Sequence, residues 1–362
     1  MFHIQNIDES YNNQMLQIIN AAPIEANGLM LLFDKSPDIF EVSRLKYTKS
    51  EHLGFFKDDE LVGFVSLGYF PGIIEGKIQQ LFSLYNFYLK PEARGRRFVE
   101  RAMKTFFTKA RENANFGYAI TLKGNRPVES YVGNRIIKGM PPTRIVDDLV
   151  VKTILFSLPR KNSTDYLIRN ARYEDIPDMV RLLNTEYQQR DFGPVFQEDT
   201  FSISLKNRGL VIENYYVAIN SKGSMVGVCL AWDCSSFRRT KVIKYSANFY
   251  PALYGYKILE KIFPMAPFPC NEECFSELTI TDCAVAERNA TILHAMLSEI
   301  YYRNRNRKYH FMNVGSCASD HLLSATKGFW QTEIRSNIIF TSLDPDRFNY
   351  QPRLPYVDIA LL

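Results

Sequence analysis

Long apolar runs and a marked charge imbalance are both missing from this sequence of 362 residues. No apolar run approaches the roughly 18 residues that a membrane-spanning helix needs, so no membrane partner is expected. The start of the chain has no basic segment followed by an apolar core, so no secretory signal is expected either. The net charge of +5 is too small by itself to indicate a nucleic-acid partner.

Cysteine and histidine are also scarce. The six cysteines are too few to form a disulfide framework in a chain of this length. Cys270 and Cys274 lie four positions apart, but no second Cys or His pair follows at zinc-site spacing, so ordinary thiols are favoured over a metal site. Reduced thiols without a signal segment predict a cytoplasmic protein.

What the sequence does contain is an ordinary globular composition and an internal repeat. Hydrophobic residues make up 46% of the chain and charged residues 23%, and the length suggests two domains of roughly 150 residues. Three blocks recur 164 positions apart, pairing 3–7 with 167–171, 15–20 with 179–184 and 61–67 with 225–231. The constant offset favours a duplication over the alternative that any two α/β units share such patterns.

Each half is predicted to begin with a strand, an amphipathic helix and a hairpin. The predicted strands and hairpin arms are 2–7, 53–57 and 61–70 in the first half, and 165–171, 215–219 and 225–232 in the second. The polar segment 157–164 is interpreted as a linker. The predicted domains are therefore 1–158 and 165–345, followed by a tail at 346–362.

The segment 80–113 carries the strongest functional pattern. Residues 81–89 are apolar and aromatic enough for a buried strand, the basic segment 90–98 breaks that strand, and a helix is predicted to run to about Glu112. A basic turn at the positive end of a helix is suited to binding a pyrophosphate. The alternative is a solvated basic helix start.

The turn Pro91-Glu92-Ala93-Arg94-Gly95-Arg96 resembles the acyl-CoA-binding motif of the GNAT superfamily of N-acyltransferases, which reads Arg/Gln-x-x-Gly-x-Gly/Ala after a central strand. Residues 168–177 resemble the opening of many members, and Lys327-Gly328-Phe329 resembles a closing segment. The resemblance covers most of 1–140 and 165–342. It implies an α/β (α+β) fold with two GNAT-like domains, each a mixed, mostly antiparallel sheet flanked by helices.

The resemblance also implies which residues contact the co-substrate, acetyl-CoA. The strand contributes Leu84, Tyr85, Asn86, Phe87 and Tyr88, the turn contributes Arg94, Gly95, Arg96, Arg97 and Phe98, and the segment after the next strand contributes Asn125. Tyr131, six residues beyond Asn125, is the candidate acid that protonates the departing thiolate. The candidates for the base are Glu129 and a water ordered by Tyr85, Asn86 or Tyr88, and Glu75 with the residues after it is a candidate to line the acceptor side.

Each half departs from the family pattern, and the second half departs further. In the first half, the two glycine positions of the motif hold Arg97 and Val99, so side chains crowd the turn. In the second half, the equivalent segment 277–290 has lost the glycine and carries Glu287, and Ser324 stands where the family has a tyrosine. We therefore expect one CoA site, in residues 80–135. About 30 extra residues within 233–275 are expected to pack the halves together or to cover a substrate cleft, with packing favoured.

These observations favour a cytoplasmic N-acetyltransferase that transfers an acyl group from acetyl-CoA to a primary amine of a small molecule or a peptide, without a metal. A catalytically silent tandem module that senses acyl-CoA or acts as a scaffold is the alternative. A third hypothesis, an aminoacyl-tRNA-dependent peptidyl transferase of the same fold, predicts a broad basic face, which a net charge of +5 does not clearly supply.

Overall fold

The structure is a computed structural model that describes residues 2–26, 28–94, 96–129, 132, 141–159, 164–305, 308–347 and 349–362, without the side chains of 96–98 and 127. In these residues the helices are α1 Asn12–Asn20, α2 Glu41–Lys46, α3 Arg96–Arg111, α4 Arg126–Glu129, α5 Ile176–Tyr187, α6 Glu198–Asn207, α7 Tyr250–Ile262 and α8 Ala290–Asn304. The strands are β1 Phe2–Ile7, β2 Ile24–Ala26, β3 Leu29–Asp34, β4 Lys49–Lys57, β5 Glu60–Ile74, β6 Lys77–Leu89, β7 Phe116–Leu122, β8 Thr143–Leu155, β9 Leu167–Asn170, β10 Tyr215–Ile219, β11 Met225–Trp232, β12 Arg239–Tyr245, β13 Glu277–Val285, β14 Phe311–Cys317 and β15 Gln331–Ser342.

Twelve of these strands form one mixed sheet in the order β1-β4-β5-β6-β7-β15-β8-β14-β13-β11-β10-β9. Its two parallel pairs are β6 with β7 and β13 with β14, and the other pairs are antiparallel. Helices flank the sheet, so the predicted α/β class with a mostly antiparallel sheet is confirmed. Both halves contain the predicted order of strand, helix and hairpin, and each continues with a central strand, a helix and a strand parallel to the central one.

The halves exchange strands at the centre of this sheet. Strand β15, from the end of the chain, lies between β7 and β8 and pairs with both, and β8 in turn pairs with β14. Hydrogen bonding is therefore continuous from one half into the other. The domain boundaries at 158 and 165, and the duplication itself, remain predictions.

The extra segment of the second half also connects the halves. Strand β12 pairs antiparallel with β3, from Arg239 opposite Asp34 to Tyr245 opposite Leu29, in a separate three-stranded sheet with β2. Apolar side chains from both halves form a cluster beneath it, among them Leu31, Val242 and Phe275. Packing, the favoured expectation for this segment, is what these contacts provide.

The helices fix the central strands by burying apolar faces. Ala102 and Phe106 of α3 are buried against Phe82 of β6. Met15 and Ile19 of α1 belong to a separate cluster that includes strands β4 and β5. Burial of this kind, at roughly 25 cal/mol per Å² of apolar area, holds β6 rigidly between two helical layers.

Candidate functional site

The central strand β6 separates from its parallel neighbour near its carboxyl end. Pairing with β7 extends only over Leu81–Leu84, opposite Phe116–Ala119, whereas β6 continues along β5 to Leu89. Beyond Leu84, no strand of the described residues pairs with this side of β6. The result is an opening between two strand ends, a place where α/β proteins commonly bind ligands.

A β-bulge lies at this opening. Ser66 of β5 is opposite Tyr85 and Phe64 is opposite Tyr88, so two residues of β6 face one of β5, and Asn86 has a left-handed backbone with φ of 52°. Leu84 and Phe87 both pack in the cluster under α3. Such a bulge re-aims side chains and interrupts pairing. Asparagine within an otherwise apolar and aromatic run was the available sequence signal, because asparagine tolerates this backbone conformation.

Asn86 accepts a hydrogen bond from Lys35, a residue that the sequence pattern did not indicate. The Nζ of Lys35, in the residue that follows β3, donates to Asn86 Oδ1 at 2.8 Å. Lys35 is only 5% exposed. Burial, which has the largest effect, and the positive charges of Arg238 and Lys46 together lower the pKa of Lys35 to about 7.

Tyrosines pack around Lys46, one of the two cations that lower the pKa of Lys35. The ring of Tyr85 lies 4.8 Å from that of Tyr47, and Lys46 Nζ lies 5.4 Å and 5.7 Å from the ring centroids of Tyr47 and Tyr118. Burial raises the pKa of all three phenols, which are therefore neutral near pH 7. Tyr88 lies against Phe64, and its pKa is likewise raised by burial.

The basic turn follows directly at the end of β6. A single 3₁₀ turn, Pro91–Ala93, precedes Arg94, whose exposed side chain donates through Nε to the Leu89 carbonyl at 3.2 Å. Helix α3 begins at Arg96, so its first unpaired N–H groups and its positive dipole end lie beside the opening. Arg96, Arg97 and Phe98 occupy its first turn, whereas Gly95 lies outside the described residues.

The remaining predicted residues are distributed differently. Asn125 lies between β7 and α4, and its amide donates to Thr121 Oγ1 at 3.3 Å. Tyr131 lies outside the described residues. Glu129 accepts hydrogen bonds from Gly124 N at 2.7 Å and from Asn337 Nδ2 at 2.8 Å, so its carboxylate is already engaged.

Glu75 lies in the β5–β6 turn and is paired with Arg347. Eleven residues of strand separate Glu75 from the bulge at Asn86, roughly 35 Å at 3.3 Å per residue. The assignment of Glu75 to the acceptor side stays a prediction.

The second half has an equivalent opening between β13 and β14, and a buried ion pair occupies it. Pairing of β13 with β14 stops at Ile280, and Asp282 has a left-handed backbone with φ of 46° at an equivalent irregularity. Asp282 Oδ2 accepts from Tyr215 Oη at 2.6 Å and from Arg208 Nη1 at 2.8 Å. A buried ion pair thus occupies the position that corresponds to Asn86 and Lys35.

The turn of the second half is also engaged internally. Arg288 forms ion pairs with Glu186 and with Asp320, the latter at 2.6 Å. Arg190 binds the same two carboxylates, which makes a buried cluster of two cations and two anions. Glu287 is exposed at this turn.

Two further observations concern metal-binding groups and membrane-spanning helices. Within the part of the chain that the structure describes, no group of three or more His, Cys, Asp or Glu side chains is arranged to hold a metal ion. In the same residues, no helix is both long and apolar enough to span a bilayer.

Comparisons with known proteins agree with this geometry. Residues 16–131 match the family model described as the Acetyltransferase (GNAT) family. The fold is similar to that of Saccharomyces cerevisiae N-myristoyltransferase with bound myristoyl-CoA (TM-score 0.60, 12% identity), covering 99% of this chain and 89% of that one. It is also similar to a probable N-acyltransferase from Enterococcus faecalis V583 (TM-score 0.54, 10% identity), covering 97% of this chain and 74% of that one.

A third similar structure is a GCN5-related N-acetyltransferase from Anabaena variabilis (TM-score 0.51, 10% identity), covering 95% of this chain and 73% of that one. No curated protein matches the chain by sequence. The family match therefore covers the first half of the chain, and the similar structures show that the whole chain shares their fold. The family match at residues 16–131 includes the turn at 91–96, whose resemblance to the GNAT motif predicted it.

Proposed function

We propose that the protein is an acyl-CoA-dependent N-acyltransferase whose single active site lies in the first half, at the opening between β6 and β7. The observation that carries the proposal is the contrast between the halves. Beside the opening of the first half lie a helix N-terminus and the exposed Arg94, whereas Arg288, at the turn of the second half, is paired with Glu186 and Asp320.

The geometry supports the following division of labour. The thioester enters between β6 and β7, where backbone groups of β6 beyond Leu84 face no strand partner in the described residues. A backbone N–H in that position can hold the oxyanion that forms when an amine attacks the thioester carbonyl. The strand residues predicted to contact the co-substrate, Leu84 to Tyr88, include the bulge at this point.

The pyrophosphate is assigned to the turn and to the first turn of α3, with Arg94, Arg96 and Arg97 as cationic contacts. Gly95 and Phe98 are proposed as further co-substrate contacts of that segment, and Asn125, in the segment after β7, as another. Tyr131 remains the proposed acid for the leaving thiolate. The acyl group is proposed to be acetyl and the acceptor a primary amine of a small molecule or a peptide.

The arginine assignment predicts a loss of affinity. A charge-assisted contact contributes roughly 1.5–3 kcal/mol, so replacing Arg94 and Arg97 together by alanine is expected to weaken acetyl-CoA binding at least tenfold in titration calorimetry. Arg181→Ala is the matched control, because its side chain is 72% exposed and pairs only with Asp178. Unchanged affinity in the double variant would show that the basic turn is a solvated surface that does not bind the co-substrate.

Stoichiometry and turnover test the rest. Calorimetry with CoA is expected to give one site per chain, and a value near two would refute the assignment of roles to the halves. Thiol release from acetyl-CoA and from myristoyl-CoA, with a panel of amines, tests the acyl group and the acceptor. The departures at Arg97 and Val99 favour the second candidate, a silent acyl-CoA-binding module, and that function predicts binding without turnover on either thioester.

A further inference from the structure

We propose that Lys35 is the general base that deprotonates the acceptor amine. The proposal rests on the active site proposed above, because it takes the opening beside Asn86 as the place where the thioester reacts. It adds a residue that neither the family motif nor the sequence pattern indicates.

The position of Lys35 is fixed from both sides. The preceding residue, Asp34, binds Arg239 Nη2 at 2.6 Å through Oδ2 and accepts from Ser36 N at 2.8 Å through Oδ1. The ammonium nitrogen itself lies 2.8 Å from Asn86 Oδ1, so it is held at the bulge where β6 leaves β7. An amine attacking a thioester at this opening would be brought next to Lys35 Nζ.

The surroundings of Lys35 favour its neutral form. Arg238 and Lys46 are the charges that act on it, and both are cations that disfavour a third positive charge. Arg238 is directed to the Ile359 carbonyl at 2.6 Å and Lys46 to the Leu361 carbonyl at 3.1 Å. A lysine with a pKa of about 7 is a competent proton acceptor at neutral pH.

The other titratable groups of this region fit the role less well. Asp34 is committed to Arg239 and Ser36, and the Tyr47 and Tyr85 phenols remain neutral because burial raises their pKa. Burial lowers the pKa of His52 to about 4, which makes it a weak base. Asp358, near Lys46, accepts from Thr281 Oγ1 at 3.0 Å and from Ala360 N at 3.0 Å, so its carboxylate is already engaged.

The proton balance closes without a further reactant. Neutral Lys35 takes one proton from the acceptor ammonium, and the amine nitrogen attacks the thioester carbonyl to form the C–N bond. The C–S bond then breaks, and the second amine proton goes to the departing CoA thiolate through the acid. Lys35 finally returns its proton to water, leaving an amide and CoA.

Two substitutions separate a base from a fixed charge. Lys35→Met keeps the length of the side chain without a titrating group, and Lys35→Arg keeps a positive charge that does not deprotonate near neutral pH. With an amine that the wild type acetylates, both variants are expected to lose about 10²–10⁴-fold in kcat/KM. Hydroxylamine, which is uncharged at neutral pH, is expected to react at nearly the wild-type rate in Lys35→Met, because it needs no deprotonation before attack.

Two readouts do not depend on turnover. In isotope-labelled lysine NMR of the free protein, the signal lost in Lys35→Arg is expected to titrate near pH 7. The free energy of unfolding of the wild type is expected to rise between pH 7 and 10 relative to Lys35→Met, because the unfolded chain keeps this lysine protonated over that range. Lys49→Met, which removes a lysine with a 56% exposed side chain, is the control expected to change neither readout.

The outcomes distinguish the two proposals. Retained activity in Lys35→Arg, or titration of Lys35 at an ordinary lysine pH, would overturn the role of base. Normal CoA binding in both variants, with loss of turnover only, supports it. If the wild type itself binds no CoA, the proposed active site fails, while the NMR titration still reports on Lys35 independently.

Discussion

Removing Asp320 from its buried cluster is expected to destabilise the protein strongly. The Asp320 side chain is fully buried and forms ion pairs with Arg190 and Arg288. It also accepts from Ser316 Oγ at 2.6 Å and from Leu322 N at 3.0 Å. Asp320→Asn preserves the shape of the side chain but leaves two guanidinium groups sharing the single carboxylate of Glu186.

The magnitude follows from the uncompensated charge. Breaking a buried ion pair by removing one partner costs about 3–5 kcal/mol, whereas an exposed pair contributes about 0–1 kcal/mol. Although burial alone would raise the pKa of Asp320, Arg190 and the hydrogen bond from Ser316 lower it. The stabilising contribution of Asp320 is therefore present above pH 4 and is lost as the pH falls through its folded-state pKa.

Urea unfolding at pH 7 measures this effect directly. Asp320→Asn is expected to lower the free energy of unfolding by about 3–5 kcal/mol. The matched control is Asp178→Asn, which removes an aspartate whose side chain is 54% exposed and paired with Arg181. A loss below about 1 kcal/mol for Asp320→Asn, no larger than in the control, would refute the reasoning that the cluster depends on charge compensation.

Three further predictions concern stability. Gly255→Ala in exposed α7, where an added Cβ meets nothing within 4 Å, is expected to raise the free energy of unfolding by about 0.5–1 kcal/mol in urea titration; a decrease would contradict the open geometry. Gly68→Ala places a Cβ 2.4 Å from the buried Tyr47 ring and is expected to cost about 1–3 kcal/mol in the same assay, and a neutral result would show that the ring moves freely. Burial lowers the pKa of His52 to about 4 from its ordinary 6.5, so the unfolded chain takes up a proton first as the pH falls. About 3 kcal/mol of stability is expected to be lost between pH 6.5 and 4, and His52→Gln, measured by urea unfolding at both pH values, should lose less.

Local patterns in the sequence predicted much of the fold. The strand predicted over 2–7 coincides with β1, and the helix predicted to end near Glu112 ends at Arg111. Apolar periodicity, the proline before α3 and the basic turn are all local signals, and the family match at residues 16–131 includes them. The expectation that the second half is less suited to CoA is consistent with the internal pairing of Arg288.

Long-range pairing accounts for what the sequence did not predict. Strand β12 pairs with β3, and β15 lies between β7 and β8. The hydrophobic pattern of a strand does not specify which of many compatible strands it pairs with, so the sequence did not predict these pairings. In the sequence, Lys35 is simply a basic residue after an apolar strand. Its environment is formed by residues distant in the chain, among them Asn86 and Arg238. Only the tertiary structure makes it unusual.

The central position of β15 has a consequence for biosynthesis. While the ribosome is still making the second half, β7 exposes one edge, because its partner is encoded more than 200 residues downstream. An unpaired edge of apolar residues invites pairing with other chains, and pairing over so long a separation is slow. The nascent first half is therefore expected to need shielding, by a chaperone or by the ribosome surface, until residues 331–342 have emerged.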